Sequence, residues 1–362
     1  MNKNFYIIYR IAIIVLAALT AMLLGAVILA AIGADVFKVY RVIITEPLKN
    51  ISLICEVLIR AIPLIIIALG ISTAYRSGII NIGAEGQMAM GIIASAAVAL
   101  ALPGVPRPVL LPLMLLAGCA GGALWGFIPG ILRAKLEVSE LLSTVMLNYI
   151  AAQFYTFFLR GPMLDPAEKT MGGVGTPQTM RLTQNVWLDR IIPGTRLHTG
   201  VFIALALAMI VYLLLWKTSF GYRLRAAGAQ EKAARYGGIN VSACLVISIC
   251  ISGALAGLAG AVEIAGVHRR AIEGVTSGYG FSGIVVALFG GLHPAGIIPA
   301  AFFFGLLIVG ADMTQRMVGV PANMVQVLQG IIILVIVAAR MVMANPYLME
   351  WARRKYEQIR GK

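Results

Sequence analysis

The stretch Gly274–Ala311 reads GVTSGYGFSGIVVALFGGLHPAGIIPAAFFFGLLIVGA, 38 residues without a charged side chain. A helix needs about 20 apolar residues to cross the hydrocarbon core of a bilayer, so this run is too long for one pass. Its middle, Gly290-Gly291-Leu292-His293-Pro294, is built to end a helix and turn the chain. The stretch therefore predicts two passes, the first one short.

Similar uncharged runs punctuate the rest of the sequence: Ile11–Ala34, Gly86–Pro106, Pro108–Leu132, Leu141–Leu159, Leu197–Trp216, Tyr236–Val262 and Met317–Ala339. A further candidate, Ile51–Tyr75, carries Glu56 and Arg60 near one end, one helical turn apart and able to pair. Counted together, they predict an all-α integral membrane protein of about ten transmembrane helices, including short or broken ones. The first run is longer than the 7–15 residues of a signal-peptide core, which predicts an uncleaved first helix.

Composition agrees. Hydrophobic residues make up 60% and charged ones 12% of the 362 residues, against about 25% charged in a typical soluble domain; the mean hydropathy is +0.91. That excludes a soluble globular chain and a disordered one. The net charge of +14 would suggest nucleic acid in a soluble protein, but in a membrane chain it concerns orientation. An even number of passes places both termini on one side. With the N-terminus inside, 16 of the 29 basic residues lie inside. The tail Arg353–Lys362 and the loop Lys217–Arg235 favour that placement most, so both termini are expected to be cytoplasmic. Arg160, Lys169, Arg181, Arg190 and Arg196 fall in or beside one long outer loop, Gly161–Thr199, where the charge rule is weak.

Most enzyme signatures are missing from the sequence. It contains no GxxxxGK[ST] and no HExxH, and His198, His268 and His293 are scattered. Cys55, Cys119, Cys244 and Cys250 lie in apolar runs without CxxC spacing and read as structural thiols. Gly278-Tyr279-Gly280-Phe281-Ser282-Gly283 matches GxGxxG by letter, but no strand precedes it. Gly278, Gly280, Phe281 and Gly283 read better as the flexible entry to a half-helix with free N–H groups. Gly118, Gly122, Gly126 and Gly130 recur at i+4, as do Gly253 and Gly257, a pattern for close helix packing in lipid.

Three segments carry polar groups where a membrane chain rarely does. Ser77–Met88 places Asn81, Glu85 and Gln87 among glycines between two spans. It reads either as a capped inner-surface turn or as a broken segment facing a translocation path. Glu140, Thr144 and Asn148 share one helix face at i, i+4 and i+8, as a helix contact or as a polar pore stripe. Ala226–Ile239 is too polar and short to span, and reads as an amphipathic surface connector or as a helix that docks into a partner's groove.

Five segments in order, SGIINIGAEGQM (Ser77–Met88), VSELLSTVMLNYIA (Val138–Ala151), EKAARYGGIN (Glu231–Asn240), SGALAGLAGA (Ser252–Ala261) and GYGFSGIVVALFGGLHP (Gly278–Pro294), resemble the permease subunits of bacterial ABC importers. The class is that of branched-chain amino acid and monosaccharide permeases, and the first two segments look most like its nucleoside (general nucleoside or simple-sugar) permeases. The resemblance runs from about residue 50 to residue 340.

It implies a plasma-membrane permease domain covering residues 1–362: a first span and outer loop (1–50), a core (51–343), a cytoplasmic coupling loop (217–240) and a basic cytoplasmic tail (344–362). The implied partners are a second, related permease subunit, two ABC ATPase subunits that bind ATP and Mg, and a substrate-binding lipoprotein or periplasmic protein. No cofactor in this chain and no nucleic acid are implied. Gly228, Glu231, Ala233, Ala234, Arg235 and Gly238 fall on the coupling-helix motif, with Gly237 where Ser or Ala is expected. Asn81, Glu85, Gln87, Glu140, Thr144 and Asn148 are the candidates for the cargo path. The rival readings are a proton-coupled secondary transporter using Glu85, Glu140 or Glu263, and a membrane-embedded enzyme, for which no acid, base or nucleophile cluster stands out.

Overall fold

The computed structural model describes residues 3–170 and 176–321 and a part of those between 324 and 354. The last expected span, Met317–Ala339, and the basic tail lie largely outside the described residues. In chain order the helices are α1 Lys3–Ala31, α2 Val36–Thr45, α3 Ile51–Arg76, α4 Ala84–Ala101, α5 Arg107–Leu136, α6 Glu140–Arg160, α7 Pro166–Thr170, α8 Gly200–Lys217, α9 Ser219–Ala229, α10 Glu231–Tyr236, α11 Val241–Glu263, α12 Tyr279–Phe289 and α13 Pro294–Val318. Among the described residues there is no β-strand, and the isolated antiparallel bridges are Gln178–Ile272 and Arg190–His198.

Among the described residues seven helices are long and apolar enough to cross a membrane: α3, α4, α5, α6, α8, α13, and α11 with the π-turn Ile264–His268 that continues it. One of the expected ten, the short first pass of Gly274–Ala311, is too short to be counted with them. The helix α12 has 11 residues and so rises about 16 Å, roughly half a bilayer core. The break between α12 and α13 falls where the sequence put it, with Gly290 capping α12 and Gly291 and Leu292 at φ +74° and +54°. The segment expected as an outer loop after α1 instead holds α2, whose Val39, Val42 and Ile43 are buried while Phe37 is exposed. The Ala226–Ile239 segment is not one helix, because Gln230 (φ −159°, ψ 104°) separates α9 from α10.

The chain forms two compact units, Met1–Leu53 with Leu306–Lys362, and Ile54–Gly305. In the first, Leu29, Val39, Ile43, Leu307 and Ala311 share a core, and Gly310 lets its helix approach the Ile43 backbone. In the second, α3, α4 and α11 are buried along most of their length, while α5, α6 and α8 leave Leu116, Leu124, Tyr149, Phe157, Phe202 and Met209 exposed. A helix apolar on every side belongs inside such a bundle, and large apolar residues outside meet lipid.

The glycine ladders explain the closest packing. A Cβ on Gly122 would stand 2.8 Å from the Gly257 amide nitrogen and overlap the Gly253 carbonyl, and one on Gly118 would stand 2.7 Å from the Ala261 Cβ. The backbones of α5 and α11 therefore touch directly. Lipid is as apolar as the side chains, so this contact area replaces the hydrophobic effect as the force that joins them. Pro63, Pro112, Pro129 and Pro299 sit inside α3, α5 and α13, as membrane-spanning helices tolerate them.

Candidate functional site

The polar segment between α3 and α4 is held together by its own side chains. Asn81 is fully buried. Its amide nitrogen donates to Gln87 Oε1 (2.8 Å) and Ser252 Oγ (2.9 Å), and its oxygen accepts from the Gly83 amide (2.9 Å) and Gln87 Nε2 (3.3 Å). Every hydrogen-bonding site of that side chain is used, as a buried carboxamide in an apolar bundle requires.

The helix α4 has no side-chain cap from Gly83. Asn148 of α6 supplies one from a distance: its oxygen accepts from the Gly86 amide (2.9 Å) and its nitrogen donates to the Ile82 carbonyl (3.0 Å). The start of α4 thus has an acceptor for one of its orphan donors. Thr144, on the same face of α6, bonds back to the Glu140 carbonyl (2.6 Å) and packs beside Gly83. Glu140 lies apart from this cluster, paired with Arg133 Nε at 3.3 Å.

Glu85 does for α12 what Asn148 does for α4. Its carboxylate accepts from the Gly278 amide (3.0 Å) and the Gly280 amide (2.7 Å). Gly278, the N-cap at φ +76°, brings no side chain of its own. A carboxylate there meets both the free N–H groups and the positive end of the helix dipole. Glycine is required at the next turn as well: a Cβ on Gly280 would stand 2.5 Å from the Glu85 Cα, and one on Gly283 would overlap Ile67. Phe281 is half exposed. The Ser77–Met88 turn and the half-helix entry, far apart in the sequence, are therefore one site.

The path of the chain around α12 is equally specific. Before it, Ile272 accepts from the Tyr155 hydroxyl (2.9 Å) near the end of α6, and after it, the Leu292 carbonyl accepts from the Arg76 guanidinium (3.2 Å) at the end of α3. The segment Arg269–Gly278 and α12 together thus run from the end of α6 to the end of α3, with Glu85 capping α12 between them. Arg76 also lies over the Trp216 ring (5.4 Å), which packs on His293 (4.7 Å). Sequence reading missed this cluster and Ser252. The only hint was that Arg76 and Trp216 both end long apolar runs.

The α9–α10 pair is a surface element. Thr218 caps α9 through the Gly221 amide (3.0 Å). Ala234 is buried, while Glu231, Lys232, Ala233 and Arg235 are exposed and Tyr236 is 98% exposed. Glu231 and Arg235 pair at 2.7 Å. The helix α10 ends in a Schellman motif, with Ile239 N donating to the Ala234 carbonyl and Gly238 N to the Arg235 carbonyl (both 3.0 Å). Gly238 sits at φ +79°, whereas Gly237, at φ −76°, needs no glycine. Gly228 packs backbone to backbone on the Arg76–Gly78 turn: a Cβ there would stand 2.7 Å from the Gly78 nitrogen and overlap the Arg76 carbonyl.

The opposite end of α8 carries the long loop. Glu56 of α3 forms a bidentate pair with Arg196 (2.6 and 2.8 Å), and Arg60 donates to the Tyr279 hydroxyl (3.0 Å). Asp189 accepts from Arg107 (2.6 Å), which holds its carboxyl below the usual carboxylate range. Trp187 lies between the Arg181 (4.7 Å) and Arg269 (3.9 Å) guanidiniums. Among the described residues no group of three or more His, Cys, Asp or Glu is placed to hold a metal.

Comparison with known proteins gives one consistent answer. The family model of the branched-chain amino acid transport system permease component matches residues 53–337. The guanosine ABC transporter permease protein NupP of Bacillus subtilis is 36% identical over 325 residues, covering 90% of this chain and 92% of that one. The nucleoside ABC transporter permease protein NupB of Lactococcus lactis is 34% identical over 331 residues, 90% of each. The glucose ABC transporter permease protein of Haloferax volcanii is 34% identical over 336 residues, covering 90% of this chain and 86% of its own. The first two bacteria each hold a second matching chain, named for guanosine and for nucleosides respectively.

Proposed function

We propose, from the premise that this chain belongs to the family of branched-chain amino acid transport system permease components and is a multi-pass ABC transporter permease subunit, that it forms half of an import path for nucleosides in a bacterial plasma membrane. The observation that carries the cargo class is the Glu85 cap. Half-helix N-termini in transporters attract anionic cargo groups. In this chain the Gly278 and Gly280 amides are already held by a carboxylate of the protein itself. A path with that end neutralised suits an uncharged polar solute such as a nucleoside, and it disfavours a nucleotide or the carboxylate of an amino acid. The names of two relatives point the same way. The glucose permease relative favours a second reading, an uncharged sugar, which the same observation accommodates.

The transport machinery follows from the surface elements. The α9–α10 pair serves as the coupling helix, with Glu231, Ala233, Arg235 and Gly238 on the side open to the groove of a cytoplasmic ATPase subunit and Gly228 and Ala234 holding the pair to this chain. ATP and Mg are bound by that partner, since this chain carries no GxxxxGK[ST], and the chain itself catalyses no reaction. A second, related permease completes the path, in keeping with the paired permease chains of the two bacteria above. About ten passes, counting the broken one at α12, keep both termini on one side, and the basic loop Lys217–Arg235 and tail Arg353–Lys362 favour the cytoplasm. The long loop before α8 then faces a substrate-binding lipoprotein or periplasmic protein. Asn81, Glu85, Gln87, Thr144 and Asn148 line or brace the path, and Glu140 stands at its cytoplasmic edge.

The test is uptake by the complex that co-purifies with the chain, reconstituted in liposomes with ATP inside or outside. Labelled guanosine or uridine should enter and compete with one another, while nucleoside monophosphates and leucine should not compete. Uptake driven by a proton gradient in the absence of ATP would refute the assignment.

A further inference from the structure

Motion of the α9–α10 surface hairpin must reach the middle of the bundle if it is to drive transport. Three contacts, each between groups with no slack, connect the two. Gly228, the penultimate residue of α9, lies against Arg76, Ser77 and Gly78 with no side chain between the backbones. Gly78, at φ +89°, has its own Cβ direction only 3.1 Å from the Gly228 Cα, so the contact is tight from both sides. The turn that follows is rigid, because Ser77 is bonded to Ser248 (2.6 Å) and Asn81 to Gln87, Ser252 and Gly83. Three residues beyond Ile82, Glu85 holds the first amides of α12.

We infer that Gly228 and Glu85 are positioning residues at the two ends of one transmission element, the Arg76–Glu85 segment, through which movement of the α9–α10 pair opens or closes the break before α12. This rests on the coupling role proposed above. A contact made only of backbone cannot absorb a displacement by rotamer change, so a push on α9 is passed on to the turn. The bonds of Asn81 make the turn move as a unit. The carboxylate of Glu85 is then withdrawn from, or returned to, the α12 N-terminus, which is a discrete change between two hydrogen-bonded states and not a gradual strain. Contiguity alone shows only that a route exists; what makes it a switch is that one element has two arrangements which both ends bias.

A reporter at Phe281, half exposed beside the break, tests this without reference to cargo. In the complex with its ATPase subunits, the four cysteines of this chain are changed to alanine, Phe281→Cys is introduced, and its modification by a small water-soluble maleimide is timed. The probed states are nucleotide-free and ATP-bound, the latter trapped by vanadate. The rate should change at least fivefold between the two. Gly228→Ala and Glu85→Asp, the second keeping the charge but shortening its reach, should each reduce that change to less than twofold. The double variant should be no worse than the more severe single one, as for two sites on one route.

A switch of full size in Gly228→Ala or in Glu85→Asp, or no change with nucleotide in the parent complex, overturns the inference. If Gly228→Ala does not assemble, Glu85→Asp alone decides. Absence of any co-purifying ATPase is a different result, and it refutes the functional assignment instead.

Discussion

Glu85 and Gly280 meet at 2.7 Å although 195 residues separate them in the sequence. That bond, with its neighbour to Gly278, closes the N-terminus of a half-helix inside an apolar bundle, where each unsatisfied amide costs about 1–3 kcal/mol. Glu85→Ala should therefore lower the thermal midpoint of the purified chain in detergent by several degrees. Glu85→Gln, which retains an acceptor oxygen, should lower it less. A Glu85→Ala protein as stable as the parent would show that water or another group satisfies these amides.

Close approach of α5 and α11 predicts a sharp asymmetry between glycines. Gly122→Ala introduces a Cβ 2.9 Å from the Gly257 Cα, and overpacking of this kind costs about 1–3 kcal/mol. Gly104→Ala has open space and a permitted φ, so it should be neutral or slightly stabilising. Thermal melts of the two variants side by side decide the matter, and equal stabilities would contradict the packing described.

The Gly237-Gly238 pair at the end of α10 should divide in the same way. Gly238→Ala places a Cβ at φ +79° and should cost about 1 kcal/mol locally. Gly237→Ala, at φ −76°, should leave both stability and uptake unchanged, which would also account for a non-glycine residue being acceptable there. Amide hydrogen exchange over Glu231–Ile239 is the direct measurement.

Acid should weaken the packing of the long loop through His198. The residue is buried, its Nδ1 accepts from the Gly200 amide (3.2 Å), and its Nε2 has no partner. Burial pushes its pKa below the ordinary value, only partly opposed by the charge of Glu263. The folded state thus stays neutral while the unfolded chain takes up a proton at about pH 6.5. Between that pH and the lower folded value, the unfolded state binds more protons, so stability falls as pH falls. His198→Gln should flatten the stability profile below about pH 6.5, and an unchanged profile would remove His198 from the account.

The sequence by itself determined which segments are helical and apolar, because hydropathy and the absence of charge act residue by residue. Gly274–Ala311 announced its own break at Gly290-Gly291, and the glycines at i+4 announced a close contact, since those signals are local. It also marked Asn81, Glu85, Gln87 and Asn148 as unusual, since polar groups among apolar runs are conspicuous whatever they bond to. What it could not determine is what they bond to. Glu85 read as a path residue and Gly278–Gly283 as a free helix entry, and only the tertiary structure joined them, because a hydrogen bond across most of the chain depends on how helices pack and not on any spacing along it. For the same reason the spacing of Glu56 and Arg60 showed that they could pair, but could not show that Arg196 of a distant loop also reaches Glu56. Local periodicity fixes which face a residue occupies, and packing decides whom it meets there.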